Sequence, residues 1–501
     1  MAKHGKPITL SKSKFVAGLQ CLKRLYWLVH EPETKPEPDE ETKARFAQGH
    51  EVGVLAQKAF LGGVLVEAEY WEVGKALERT RELMADPKVP AIFEAAFLAD
   101  RILVRTDILE RVRGGRWRLS EVKSSTDVRE KYHHVEDVAI QKYVLERAGV
   151  ELSSANLMHL NRSYIFDGVH LVPEKLFTTV NLSRKLGEVE KVLPRLLRQQ
   201  WEALSQNEPP DVEPGDQCEC PYKCEFFDRC NKELPNDHMS KLPRIRQAKL
   251  DQLAAMGIAS MRDIPDDFPL SATQRRVCQC AQTGKPYFSA ALQTDLETLE
   301  YPLYFMDFET LYPAIPRYAG MRPSDHIPFQ WSVHVQRKPG SKLEHHEFLA
   351  DDGRDPRQEF IESLLKVLED ADGKGHVVVY NQSFESTRLA DLAQWLPPYA
   401  KRIAKVQKRL WDLRPVVEHH VCHPDFGGSF SLKSVLPALI PGMTYEGMEV
   451  AEGGEAGLAY NTLVRGGLSA SDRRKLREAL LAYCGQDTLA MVKLVERLRS
   501  A

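Results

Sequence analysis

Four of the nine cysteines in this chain fall within thirteen residues, in the run Cys218-Glu-Cys220-Pro-Tyr-Lys-Cys224-Glu-Phe-Phe-Asp-Arg-Cys230. A lone free cysteine packs as a small hydrophobe, but four among such polar neighbours call for a shared ligand. Cys218, Cys224 and Cys230 are evenly spaced, with five residues between neighbours and Cys220 as a spare. Four thiolates can hold a [4Fe–4S] cluster or a tetrahedral zinc. Only Cys218, Cys220 and Cys224 approach the close pairs usual for zinc. A proline- and acid-rich stretch, Glu208–Asp216, precedes the run and reads as a connector, so the cysteines mark the end of a first domain.

The length of 501 residues corresponds to about three domains. The apolar fraction of 43% and charged fraction of 28% are those of an ordinary globular chain. No apolar run approaches the roughly 18 residues that span a membrane. The start, Met1 to Pro7, lacks a signal-peptide core. The expected compartment is the cytoplasm, where clustered cysteines bind metal more often than they form disulfides. Net charge is −3, so binding to nucleic acid has to come from local basic patches.

In the first part of the chain, Ser11–Trp27 reads as a capped helix carrying Cys21, and Thr42–Phe60 as a second helix. Strand-like segments follow at Ala91–Phe97 and Ile102–Leu109, then a basic turn containing Gly114-Gly115. Trp117-Arg-Leu-Ser-Glu121-Val-Lys123 alternates with period two, so Glu121 and Lys123 share a face. A hairpin through the glycine turn brings Asp107 alongside. Two carboxylates can hold Mg²⁺ or Mn²⁺, which lowers the pKa of an attacking water, and a lysine can offset charge at phosphorus. Asp137–Leu145 reads as a helix that offers Gln141 and Tyr143.

Asp107, Glu121-Val-Lys123, the Gln141 helix, the early Cys21 and the late cysteine run resemble the PD-(D/E)XK superfamily over about residues 8–232. The likeness is closest to its RecB-like and CRISPR-associated four-cysteine nucleases. It implies a restriction-endonuclease-like fold and catalytic roles for Asp107, Glu121, Lys123, Gln141 and Tyr143. It also implies a [4Fe–4S] staple held by Cys21, Cys218, Cys224 and Cys230, with zinc as the alternative. Relatives carry a metal-binding histidine in a pattern like G-x-x-V-H. Here Gly49-His50-Glu51-Val52-Gly53 puts Gly53 in that slot, leaving His50 or Glu51 as substitute ligand.

Residues 238–292 form a connector. Leu242–Ile264 resembles a helix-hairpin-helix, breaking at Gly257 and resuming after Ser260, and Lys241, Arg244, Arg246 and Lys249 supply charge for phosphate contact. A spacer of packed helices is the equal alternative.

In the last part, residues 298–501, Tyr301–Thr310 reads as a strand with Asp307 and Glu309 on one face. His376–Tyr380 is a buried strand followed by Glu385, and Asp412 lies in a further segment. Tyr483 and Asp487 share a helix face at i,i+4. Acidic groups from separate elements suit two divalent ions, with Tyr483 positioning water. The Asp-Phe-Glu triplet and the closing Tyr-x-x-x-Asp resemble DnaQ-like DEDD exonucleases of RNase H fold. That resemblance implies metal ligation by Asp307, Glu309, Glu385 and Asp487, with Glu385 in place of the usual aspartate. The loop Gly427–Lys433 enters a helix and suits phosphate. The run Lys401–Trp411 interleaves bases with aromatics as single-strand grooves do, or is an amphipathic helix. Cys278, Cys280, Cys422 and Cys484 read as plain core or surface residues.

The expectation is an α/β multidomain nuclease: a PD-(D/E)XK domain, a small helical connector and an RNase H-like exonuclease domain. Its substrate would be single-stranded or ended DNA, in repair or defence. The alternatives are a ribonuclease, for which no feature tests the 2′-hydroxyl, and a nucleic-acid-binding scaffold with one or both sites inactive.

Overall fold

The computed structural model describes residues 8–501 apart from 233 and 236, so the Met1–Pro7 start lies outside the described residues. It is a mixed α/β chain of two compact units, Met1–Lys232 with Pro313–Asp325, and Glu233–Tyr312 with His326–Ala501. The 238–292 connector therefore belongs to the second unit and is not a separate body. The Pro313–Asp325 segment belongs to the first because Ala314 and Ile315 bury against Tyr164 and Phe166. Among the described residues no helix is long and apolar enough to cross a membrane.

The first unit starts with β1 (Leu10–Ser11) and α1 (Lys12–Gln20), where the Ser11 hydroxyl accepts the Lys14 N–H. The single helix expected over Ser11–Trp27 is broken at Cys21, which is extended (φ −160°) before α2 (Leu22–His30). The break turns Tyr26 and Trp27 into a cluster with Cys224 and Phe226, and their burial offsets the lost helical bonds. Then come α3 (Glu40–Gln57), β2 (Val64–Leu65), α4 (Val73–Ala85), β3 (Ala91–Ala99), β4 (Ile102–Arg111) and β5 (Trp117–Lys123). They are followed by α5 (His134–Arg147), β6 (Leu152–Leu160), α6 (Pro173–Leu176), β7 (Phe177–Asn181), α7 (Ser183–Ser205) and α8 (Phe227–Asn231).

The sheet runs β2-β3-β4-β5-β6-β7, with β1 beside β4. Strands β3 to β5 form an antiparallel meander, and β6 returns parallel to β5 after α5 crosses over. The expected β4–β5 hairpin is present, and Gly114 and Gly115 supply the positive φ (79° and 76°) that its turn requires. Ile102, Val104, Thr106 and Ile108 of β4 are buried, which leaves Asp107 on the opposite face.

The second unit opens with α9 (Gln247–Ala255), α10 (Ala272–Thr283), β8 (Tyr287–Phe288) and α11 (Leu292–Leu296). The second helix expected after Ser260 is a single 3₁₀ turn, Met261–Asp263, so the helix-hairpin-helix is incomplete. Next are β9 (Leu303–Leu311), β10 (Ile327–Gln336), β11 (Glu344–Leu349), α12 (Arg357–Leu368), β12 (Val377–Val379), α13 (Gln382–Trp395) and α14 (Ala400–Gln407). The chain ends with β13 (Leu410–Asp412), α15 (Leu413–His420), β14 (Val421–Cys422), α16 (Leu432–Leu439), α17 (Gly453–Arg465) and α18 (Ala470–Arg499). The main sheet has the order β11-β10-β9-β12-β13, antiparallel across β11-β10-β9 and parallel across β9-β12-β13. A two-stranded sheet pairs β8 with β14.

In the run Lys401–Trp411 the lysines are exposed, whereas the two arginines are engaged within the unit. Ile403 and Val406 are buried, Arg402 pairs with Glu369, and the Arg409 guanidinium donates to the carbonyls of Gly375, Leu368 and Lys374. Gly375 has φ +78°, and a Cβ there would collide with the Pro302 carbonyl just before β9. Gly375→Ala is expected to destabilise the second unit by at least about 1 kcal/mol, read as a lower urea midpoint with the slope unchanged.

Candidate active sites

In the first unit β4, β5 and α5 bring four expected residues together. The Glu121 carboxylate is 2% exposed and accepts from Lys123 Nζ at 2.8 Å and from Gln141 Nε2 at 2.8 Å. Asp107 Oδ2 accepts the Val122 N–H at 2.6 Å, which ties it to β5 beside Glu121. Burial and then the Glu121 charge push the Asp107 carboxyl up to about 8. Burial acts in the same direction on Glu121, but the ammoniums of Lys12 and Lys123 override it and hold that carboxyl well below the usual range.

Tyr143 is not part of this group. Its hydroxyl donates to Asp100 at 2.7 Å, in the β3–β4 turn. The reason is helical geometry: Gln141 and Tyr143 are two residues apart on α5, so they point to different faces. His50 is exposed on α3 and, among the described residues, makes no hydrogen bond to Asp107 or Glu121; its charge acts on Glu94.

Three further members were missed in the sequence. Lys12 Nζ, at the start of α1, lies 2.9 Å from both Glu121 oxygens. Asp137 accepts from Lys123 at 2.5 Å. Glu94 has φ 55° and falls between the Phe93–Ile108 and Ala95–Thr106 pairs, across from Asp107. Asp137 was legible in principle, because it precedes Gln141 by one helical turn. Lys12 is more than a hundred residues from its partner, so no local pattern marks it.

The thiols of Cys21, Cys218, Cys224 and Cys230 also converge, each lying within electrostatic range of others in the set. Cys220 is exposed and outside that set. The corner is stitched by Gln20 Nε2, which donates to the Gln217 carbonyl at 2.6 Å and the Tyr222 carbonyl at 2.8 Å. Arg24 pairs with Glu225 at 2.7 Å.

In the second unit Asp307 and Glu309 leave β9 on one face. Among the described residues they and Cys484 form the one trio of ligand atoms lying within 4.8 Å of one another. Helix α18 delivers Tyr483, Cys484 and Asp487. It is pinned to β10 by Gln330 Nε2 donating to the Leu480 carbonyl at 2.7 Å, and by Thr488 Oγ1 at 2.8 Å from both Ser332 Oγ and His334 Nδ1. Glu385, in the first turn of α13, is 2% exposed, and its Oε2 has no hydrogen-bond partner among the described residues. Burial, then Asp487, Glu309 and Glu385, raise the Asp307 carboxyl well above its ordinary pKa. Burial also pushes Asp487 up to about 6 and Glu385 up to about 8. The expected set of Asp307, Glu309, Glu385, Tyr483 and Asp487 is thus brought into one electrostatically coupled group. Asp412 serves as an N-cap, its two oxygens accepting the Gln382 and Arg414 N–H groups at 3.0 Å each, and its charge also acts on Glu385.

The sequence reading missed Tyr445, whose hydroxyl donates to Asp487 Oδ1. It read Cys484 as a plain core or surface residue. The residue is buried, but its Sγ lies 3.9 Å from Asp307 Oδ2. Lys433, from the loop expected to meet phosphate, stands 5.7 Å over the rings of both Tyr445 and Tyr483.

A family model described as "Domain of unknown function (DUF2779)" matches residues 304–431, a span that includes Asp307, Glu309 and Glu385 and ends before Lys433. No curated protein matches the sequence. Among solved structures the chain is similar to one titled "Crystal structure of SSO0001", with 16% identity over 46% of this chain and 90% of that one, and a TM-score of 0.21.

A carboxyl with a folded-state pKa above its unfolded value of about 4 binds its proton more tightly when folded. Its stabilising effect is complete below that unfolded value and is lost as pH rises through the folded pKa. With Glu385 near 8 and Asp487 near 6, stability in chelator is expected to fall from about pH 5 to 8. Glu385→Gln should flatten that slope and raise stability at pH 8 by on the order of 1–3 kcal/mol, measured by urea denaturation across pH.

Proposed function

We propose that this protein is a metal-dependent nuclease that hydrolyses phosphodiester bonds in single-stranded or ended DNA. It would use a PD-(D/E)XK-like first unit and an RNase H-like, DnaQ-type exonuclease second unit. The observation that carries the reading is the grouping of Asp307, Glu309, Glu385 and Asp487, from β9, α13 and α18, with Tyr483 one turn before Asp487. Four carboxylates, Glu309 and Glu385 buried and Asp307 and Asp487 half-buried, with one oxygen of Glu385 unpartnered among the described residues, fit a site for divalent cations. The strand order β11-β10-β9-β12-β13 supports the RNase H-like assignment. The β3–β5 meander, parallel β6 and α5 bearing Gln141 support the PD-(D/E)XK one.

Bound Mg²⁺ or Mn²⁺ would neutralise the phosphate and acidify an attacking water. The chain's own groups do the rest. Tyr483 would orient the attacking water, and burial and the Asp487 charge hold its phenol well above its ordinary pKa. Tyr445 fixes the Asp487 carboxylate, and Lys433 puts positive charge where phosphate arrives. In the first unit Lys123 stays protonated, since Asp137, Glu121 and Asp107 outweigh its burial, and it acts as a charge.

The thiol corner is read as holding a [4Fe–4S] cluster on Cys21, Cys218, Cys224 and Cys230, with zinc as the alternative, because these thiols lie within electrostatic range of one another. Lys12 favours a narrower second reading, in which only the second unit cleaves, because its ammonium covers both oxygens of Glu121.

End-labelled single-stranded DNA incubated with Mn²⁺ tests both readings. Asp307→Ala and Lys123→Ala are each expected to remove a distinct set of products, at rates lower by at least about 100-fold. Loss on Asp307→Ala alone selects the narrower reading, and binding without cleavage by the unsubstituted protein selects a scaffold. Iron analysis tests the cluster: Cys224→Ser should lose iron and visible absorbance, and Cys220→Ser should keep both. Zinc in place of iron would overturn the assignment.

A further inference from the structure

The cysteine run carries a residue that thiol chemistry does not use. Tyr222, between Cys220 and Cys224, is 43% exposed. Its ring lies 5.0 Å from that of Tyr132, in the turn that leads from β5 to α5, at an interplanar angle of 58°. The Arg45 guanidinium stands 4.9 Å over the Tyr222 ring. Lys131 and Arg129 stand 5.1 Å and 5.7 Å over Tyr132, and the neighbouring Phe46 is 60% exposed.

Burial and the Tyr132 phenol hold the Tyr222 hydroxyl above its ordinary pKa, while Arg45, Lys123 and Arg129 pull it back. Lys123 is therefore within electrostatic range of this aromatic pair. The main chain of Tyr222 is held by Gln20, the residue before Cys21. An exposed Tyr222 against a half-buried Tyr132, ringed by three cations and beside a carboxylate–lysine site, has the chemistry of a stacking platform. Aromatic faces take bases without regard to sequence, and arginines track phosphates.

We infer that Tyr222 and Tyr132, with Arg45, Arg129 and Lys131, form a platform that stacks a base of single-stranded DNA and feeds its backbone to the Asp107–Glu121–Lys123 site. This deepens the nuclease reading and rests on it for the destination of the strand. It gives the cysteine segment a second task, since the loop that holds the thiols also presents Tyr222 to substrate.

The test uses the full chain in chelator and a labelled oligothymidylate, compared by fluorescence anisotropy with an abasic strand of equal length. Tyr222→Ala is expected to weaken oligothymidylate binding by roughly 10-fold, to shrink the preference over the abasic strand, and to be rescued by Tyr222→Trp. Oligothymidylate bearing 5-iododeoxyuridine should cross-link under ultraviolet light to the Tyr222 or Tyr132 peptide. Tyr132→Ala, outside the thiol loop, should weaken binding similarly and decides the matter if Tyr222→Ala does not fold. Equal binding by both alanine variants, or cross-links confined to other peptides, would overturn the platform. If those results came with cleavage that Lys123→Ala removes, the nuclease reading would survive alone. If Tyr222-dependent stacking came without any cleavage, the platform would stand and the nuclease reading would fall.

Discussion

Mutual repulsion among buried carboxylates is the constraint around which the second unit is built. Burial pushes Asp307, Glu309, Glu385 and Asp487 above their ordinary pKa, and neighbouring carboxylates of the set push Asp307 and Glu309 further. Such a group persists only if the surrounding packing holds its members in place. Here β9 lies in the middle of the sheet between β10 and β12, and α18 is bonded to β10 at both Gln330 and Thr488. The cluster Tyr304, Met306, Trp331, Phe360 and Val379 provides the apolar burial that offsets the cost.

The first unit handles the same problem differently. Its carboxylates are answered by Lys12 and Lys123, and Glu121 is held well below the usual carboxylate range rather than above it. Asp107 is still pushed up to about 8, so it is Glu121 that the two ammoniums answer. A divalent cation would compete with an ammonium at Glu121, whereas at Asp307 it would relieve repulsion. The two groups are both acidic, but they differ in the work needed to admit a metal.

Helix α1 joins two features of the first unit. Lys12 at its start bonds Glu121, and Cys21 closes its end at the thiol corner. Its position is further held by Gln200, which donates to the Phe15 carbonyl at 2.9 Å. The break at Cys21 is what lets α2 fold its aromatics back onto Phe226.

Much of this was legible in local pattern. Period-two alternation put Asp307 beside Glu309 and Glu121 beside Lys123, and i,i+4 spacing put Tyr483 with Asp487, because strand and helix repeats are set by the backbone. The Gly114-Gly115 hairpin followed from the positive φ that only glycine adopts freely. The same helical rule, applied to Gln141 and Tyr143, would have separated them. What the sequence by itself determined was therefore which residues share an element and a face. Tertiary structure alone decided that Lys12 reaches Glu121, that Tyr445 holds Asp487, that Tyr222 meets Tyr132 and that Asp412 accepts the Gln382 N–H. Those contacts join positions far apart in the chain. They depend on how whole elements pack to bury apolar surface, which no local repeat encodes.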